Sequence, residues 1–303
     1  MKRRDFLKQS ALAAAGTLLG GHAFAQAPAA TGDKKMTVKF AQIADIHMTG
    51  YTVADGLVSP RLPAYAWWAT SRRYDLMGYL LPIALKQLQQ EFQPQFVIFT
   101  GDQAEDGFSK YGKADLQQVK AVAESEAGVP AHFAYGNHDG PQAQWSQIYG
   151  PLNYSFDVGD CRFVVLNTGS MDRAKEQESS LQALRCLQEA LKATEPSRVV
   201  VLCHQWIFPT DVEGYSIARA DTILQTLEAD TRVVAVINGH YHSGKCSERV
   251  GVHHCTAKAF CEPPLCFSTY ELGSEELVWT EYKLSAHDKK FVVGETRRLK
   301  LRG

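Results

Sequence analysis

Five short stretches of this 303-residue chain carry side chains that bind metal ions or move protons. They are Asp45-x-His47, Gly101-Asp102, Gly136-Asn137-His138-Asp139, Cys203-His204 and Gly239-His240-Tyr241-His242. Together they offer carboxylates, imidazoles and one amide oxygen. Donors of these types suit Mn, Fe or Zn, and composition alone does not choose among the three. Asp45, His47, Asp102, Asn137, His204, His240 and His242 are too many ligands for one ion. With one carboxylate shared, they fit a pair of metals roughly 3.5–4 Å apart. Each stretch also has an ordinary explanation. A lone histidine after a strand is commonly a hydrogen-bonded core or surface residue, and Gly-Asp and Asn-His-Asp-Gly are turn sequences. Five such stretches in succession make coincidence a poor account.

The elements that must position these residues can be read from the apolar runs before them. MTVKFAQIADIH, QFVIFTGD, PAHFAYGNHD, RVVVLCHQ and RVVAVINGHYH predict strands. YSFDVGDCRFVVLNTG predicts a hairpin turning at Gly159-Asp160. DLMGYLLPIALKQLQQEF, ADLQQVKAVAESE, SSLQALRCLQEALKAT and ARADTILQTLEAD predict helices, the third opening on serine caps. Residues 247–284 read as further strands and hairpins. The pattern is α/β: layered β-sheets covered by helices on both faces. Ligands of such folds collect at the carboxyl ends of the strands, where all five stretches fall. The glycines beside Asp102, Asn137 and His240 are expected to supply the backbone angles that turn ligands inward.

In this order and spacing, D-x-H, G-D, G-N-H-D, H and G-H-x-H resemble the calcineurin-like metallophosphoesterase superfamily, over residues 39 to about 260. The resemblance implies a sandwich of β-sheets flanked by helices. It also implies a metal-dependent hydrolase of phosphate esters, whether phosphomonoester, phosphodiester or nucleotide pyrophosphate. By the same resemblance, Asp45, His47 and His242 hold one metal, Asn137, His204 and His240 hold the other, and Asp102 bridges them. A water bridging two cations loses its proton near neutral pH and attacks in line. The metals neutralise charge developing on the phosphoryl oxygens. His138 would protonate the leaving oxygen, and Glu105, three residues after Asp102, would orient it; Glu105 reads equally as a solvated loop acid. Purple acid phosphatases place a metal-binding tyrosine where Glu105 stands, which argues against that branch. His204-Gln205-Trp206 lacks the proline common in cyclic-nucleotide phosphodiesterases. GVHHCTAKAFCEPPLCF loosely resembles the ADP-ribose/CDP-alcohol pyrophosphatases, although those usually carry Gln in place of His47. A nucleotide diphosphatase of that kind is one alternative. An exported metal- or phosphate-binding protein without turnover is another, and His138 beside a full ligand set argues against it.

The N-terminus has a basic start, an apolar stretch over residues 11–19 and a small-x-small Ala23-Phe24-Ala25, the pattern of a secretory signal over residues 1–25. Arg3-Arg4-Asp5-Phe6-Leu7-Lys8 looks like the twin-arginine export signature, which implies passage of the folded protein through that machinery to the periplasm or beyond. A linker over 26–36, a domain over 37–285 and a C-terminal strand or tail over 286–303 complete the expected organisation. No run of about 18 apolar residues and no cysteine after the apolar stretch predicts a stable membrane anchor. The leader holds Lys2, Arg3, Arg4 and Lys8 against Asp5, so removing it makes the chain, already at a net −1, more acidic. That balance, without basic runs, excludes a general footprint for nucleic-acid polymers and leaves a small phosphate-ester or nucleotide substrate. Residues 48–75, rich in Tyr, Trp and Arg, read either as a substrate lid or as a cap on the sheet end. Trp206 and Phe208 share that ambiguity. Of seven cysteines, four fall within 246–266, where one or two disulfides are expected in an oxidising compartment. Cys161 and Cys203 read as core residues.

Overall fold

The computed structural model describes residues 37–54, 57–60, 71–169, 173–207 and 216–302. The leader, the linker, the aromatic stretch 61–70 and Phe208 lie outside them. Two six-stranded sheets face each other. The first runs, from edge to edge, β14 (Lys290–Lys300), β13 (Glu276–Ser285), β12 (Cys266–Leu272), β1 (Val38–Ile43), β4 (Phe96–Thr100) and β5 (Ala131–Ala134). The second runs β10 (Ser243–Arg249), β11 (Val252–Lys258), β9 (Val233–Asn238), β8 (Arg198–Leu202), β7 (Cys161–Val165) and β6 (Tyr154–Val158). β1, β4 and β5 are mutually parallel, as are β7, β8 and β9, so their carboxyl ends share one rim in each sheet. A separate hairpin pairs β2 (Tyr51–Ala54) with β3 (Leu57–Pro60).

Side-chain alternation sorts the core into three layers. Along β1, Val38 and Phe40 point between the sheets, while Ala41 and Ile43 point outward. The inner layer holds Phe40, Phe96, Phe163, Val200, Ile237 and Tyr270. Its rings stack closely, Phe40 on Phe96 at 5.1 Å and on Tyr270 at 4.9 Å. Outside the first sheet pack α1 (Tyr74–Gln87), continued by a wider turn over Leu88–Phe92, α2 (Gly112–Glu126) and α3 (Gln142–Tyr149). Outside the second pack α4 (Arg173–Lys192) and α5 (Ala220–Ala229). The result is helix, sheet, sheet, helix, as the sequence pattern predicts.

Three details differ from the sequence reading. α3 was not signalled, being only eight residues long, with Trp145, Ile148 and Tyr149 anchoring it in the core. α4 begins at Arg173, so Ser179 and Ser180 are not caps. They are buried within the helix, where Gln142 donates to Ser179 at 3.2 Å. All seven cysteines are free thiols, in place of the expected disulfides. Cys246 and Cys255 stand opposite each other on β10 and β11, while Cys261 and Cys266 are buried apart on separate segments. Cys161 and Cys203 are core residues, as expected. At the C-terminus, β14 pairs with β13 from Glu276↔Lys300 to Ser285↔Lys290, so the last strand completes the sheet.

Candidate metal centre

Where the two sheets' carboxyl ends meet, a polar seam replaces the aromatic inner layer. Gln42 continues the inward face of Val38 and Phe40. It donates to Thr100 Oγ1 and to the Asn238 carbonyl of the opposite sheet, and accepts from the Tyr270 hydroxyl at 2.7 Å. A buried amide satisfied on both sides costs little and fixes the relative height of the sheets. Just beyond it, the five predicted stretches converge.

Asp102 is at the middle. Its Oδ1 accepts from the His138 backbone N–H at 2.9 Å. Its Oδ2 lies 3.5 Å from His47 Nε2 and 3.2 Å from His204 Nε2. On one side, His47 Nε2 and His242 Nε2 are 3.3 Å apart, with Asp45 Oδ1 3.5 Å from His242. On the other, His204 Nε2 is 3.0 Å from Asn137 Oδ1 and 3.2 Å from His240 Nδ1. Two imidazole nitrogens facing each other at such distances, beside carboxylates, form a donor set that a cation between them would satisfy. All seven predicted ligands therefore fall into two groups that share Asp102.

Local backbone explains how these side chains reach inward. Asp45, His47, Asp102 and His240 have φ of 54°, 48°, 51° and 69°, a region that costs non-glycine residues energy and clusters at functional sites. The expectation that neighbouring glycines supply these angles holds for Gly101, at φ 88°. Gly136 and Gly239 serve by their size. A Cβ on Gly136 would lie 2.1 Å from the Asp102 backbone nitrogen, and one on Gly239 2.6 Å from Asp45 Oδ2. Asp139 closes the Gly136-to-Asp139 turn, accepting from Gly136 and Ala104 N–H groups at 2.9 and 3.0 Å.

Electrostatics follow from burial and close charges. Burial would raise the Asp102 carboxyl, but His204, His138 and His47 hold it well below its usual range. Burial and the Arg72 cation push His47 down to about 4, against the pull of Glu105 and Asp102. Burial also opposes charge on His204 and His242, yet Asp102 and Asp45 raise the first to about 9, and Asp45 and Glu262 do the same for the second.

Glu105 takes a different part from the one expected. Its backbone carbonyl, rather than its carboxylate, meets His138 Nδ1 at 2.8 Å. The carboxylate lies 2.7 Å from His47 Nδ1 and also receives Arg72 at 2.6 Å and the Tyr74 hydroxyl at 2.8 Å. The sequence reading missed Glu262, whose Oε1 lies 2.7 Å from His242 Nδ1. It also missed Cys261, whose thiol stands with His47 and His242 in one potential ligand cluster. Neither bears a recognisable spacing to its partner. Trp206 packs against Tyr241 at 5.1 Å and donates to Thr256, on a hollow also lined by Lys245, His254 and Asn238.

The model of the calcineurin-like phosphoesterase family matches residues 38–244, and this chain belongs to that family. Its fold is similar to that of a dimetal phosphatase from Danio rerio, with a TM-score of 0.65, 18% identity, and 88% of this chain and 99% of that one covered. It is likewise similar to GAP50, described as the anchor in the inner membrane complex of Plasmodium, at a TM-score of 0.57 and 17% identity, covering 88% and 90%. The purple acid phosphatase PPD1 of yellow lupin, Lupinus luteus, follows at 0.56 and 14%, covering 88% of this chain and 54% of that larger one. At these identities the likeness is one of fold. No curated protein matches the sequence significantly.

Proposed function

We propose that this protein hydrolyses small phosphate esters or nucleotides at a pair of metal ions. One observation carries the reading: a single oxygen of Asp102 lies within 3.5 Å of one imidazole in each ligand group. Two ions of Mn, Fe or Zn bound there supply a water that ionises near neutral pH and positive charge against the phosphoryl oxygens. Asp45, His47 and His242 would hold one ion, Asn137, His204 and His240 would hold the other, and Asp102 would serve both. The His138 backbone N–H occupies Asp102 Oδ1 and so keeps Oδ2 turned toward both groups. Because a carbonyl only accepts, His138 Nδ1 must carry the hydrogen shared with Glu105 O. That leaves Nε2 as the nitrogen that, in the imidazolium form, releases a proton to the departing oxygen.

Purified protein loaded with Mn²⁺ or Zn²⁺ should hydrolyse p-nitrophenyl phosphate, its bis ester or a member of a nucleotide panel. Turnover of none of these by the metal-loaded protein would sink the enzyme reading and leave a metal- or phosphate-binding protein. We read the twin-arginine-like leader as routing the folded, metal-loaded protein to the periplasm or beyond. Replacing Arg3 and Arg4 by Lys should then hold the uncleaved chain in the cytoplasm on cell fractionation.

A further inference from the structure

His47 and His242 lie 195 positions apart in the chain, yet each turns Nδ1 away from the centre onto a glutamate. His47 meets Glu105 at 2.7 Å, and His242 meets Glu262 at 2.7 Å. Between the two glutamates stands one guanidinium. Arg72 donates through Nη1 to Glu105 at 2.6 Å, and its Nε lies 3.6 Å from Glu262 Oε1. The segment that carries it is itself tied down, with Arg73 N–H donating to the Cys261 carbonyl at 2.7 Å and the Tyr74 hydroxyl to Glu105 at 2.8 Å. These contacts make an arch: His47, Glu105, Arg72, Glu262, His242. Its two feet are the imidazoles whose Nε2 atoms face each other at 3.3 Å.

We propose that Arg72 is a positioning residue for one half of the metal centre, locking Glu105 and Glu262 so that His47 and His242 present Nε2 to the same ion. Partners behind a ligating histidine fix its tautomer and ring orientation, and their loss typically costs ~10–100-fold in metal affinity. An arginine suits the task because its planar fork reaches two carboxylates in one fixed geometry, which a lysine ammonium does not. The other half is braced differently. His204 Nδ1 meets a backbone carbonyl, Thr100 O, at 2.8 Å. The two metals should therefore differ in how they depend on Arg72.

The inference rests on the dinuclear reading, and binding of Mn²⁺ to the purified, metal-stripped protein tests both. The wild-type chain should take up two ions by calorimetry and elemental analysis, with the paramagnetic resonance signal of a coupled pair. Arg72→Ala should keep its fold by circular dichroism, weaken one site by at least about 10-fold, and convert the coupled signal to that of an isolated ion. Arg72→Lys should recover only part of the affinity. Glu262→Gln, which retains size and polarity, should weaken the same site. Two unchanged sites in Arg72→Ala, or two sites weakened alike, overturn the positioning role while leaving the dinuclear reading in place. A wild-type protein that takes up fewer than two ions overturns the dinuclear reading itself.

Discussion

Asp102 and His138 are joined by one hydrogen bond but should fail in different ways. Asp102 Oδ2 lies close to an imidazole of each ligand group, 3.5 Å from His47 and 3.2 Å from His204. Asp102→Asn keeps the shape, removes the negative charge and aims an N–H₂ group or a weaker oxygen at the histidines. We expect both metals to be lost together, as elemental analysis of the purified variant would register; retention of one metal would mean that the carboxylate is not shared. His138 holds Asp102 through its backbone N–H, which a substitution preserves, while its ring stands edge-on to His47 at 4.9 Å. His138→Asn should therefore keep near-normal metal content while slowing esters with poor leaving groups most, by up to ~10²–10⁴-fold. Equal slowing across leaving groups of different acidity would contradict proton donation. All seven ligand candidates were legible in the sequence because each ends an apolar run. Arg72 and Glu262 were not, since their contacts join residues 33 and 20 positions apart that belong to no common pattern.

The strand ends explain why small residues adjoin the ligands, and they offer a sharper test than the ligands themselves. Gly101 closes β4 at φ 88°, and a Cβ there would lie 2.3 Å from His204 Nδ1. Gly101→Ala should displace the His204 ring, break its bond to Thr100 and cost about 1–3 kcal/mol of stability. The loss should fall on the Asn137–His204–His240 group, measured as one metal missing per chain. Unchanged metal content and unfolding temperature would show that the strand end yields more easily than this geometry allows. Further out, β5 carries His132 stacked on Phe156 at 3.6 Å and edge-on to Phe96 at 5.5 Å. Burial pushes its pKa down to about 4. Between that value and the ordinary 6.5, the unfolded chain binds a proton that the folded chain does not. Stability from neutral His132 is thus complete above pH 6.5 and lost as pH falls toward 4, by about 1–2 kcal/mol for a partly open ring. His132→Phe should reduce the acid sensitivity of urea unfolding over that range; an identical pH profile would rule the residue out as its cause. The helices were less legible than the strands. An amphipathic period places α4 but not its start, because buried Ser179 and Ser180 imitate capping residues.

At the scale of the whole molecule, the site depends on two sheets being held in fixed relation, and the sequence announces neither their pairing nor their clamps. Hydrophobic alternation separates inner from outer faces. It cannot say that Phe40 of one sheet will lie against Phe163 of the other at 5.2 Å, since that contact joins distant parts of the chain. At the rim near the candidate ligands the clamp is Gln42, reaching Asn238 across 196 positions. At the opposite rim it is Arg198, at the start of β8. Its Nη1 donates to the Leu272 carbonyl at 3.2 Å and to the Gly273 carbonyl beyond β12, and its Nη2 pairs with Asp160. Arg198 is buried, so Arg198→Leu would leave two carbonyls and a carboxylate short of a charged donor. A loss of about 2–4 kcal/mol is expected, which for a domain of this size lowers Tm by roughly 5–15 °C. The five residues of β8 separate Arg198 from the ligand end by about 16 Å. Metal stoichiometry and metal affinity should therefore remain those of the parent at temperatures where the variant is folded. If Arg198→Leu lost metal before it lost structure, the two rims would be coupled, and the sandwich could not be treated as a rigid frame for the site.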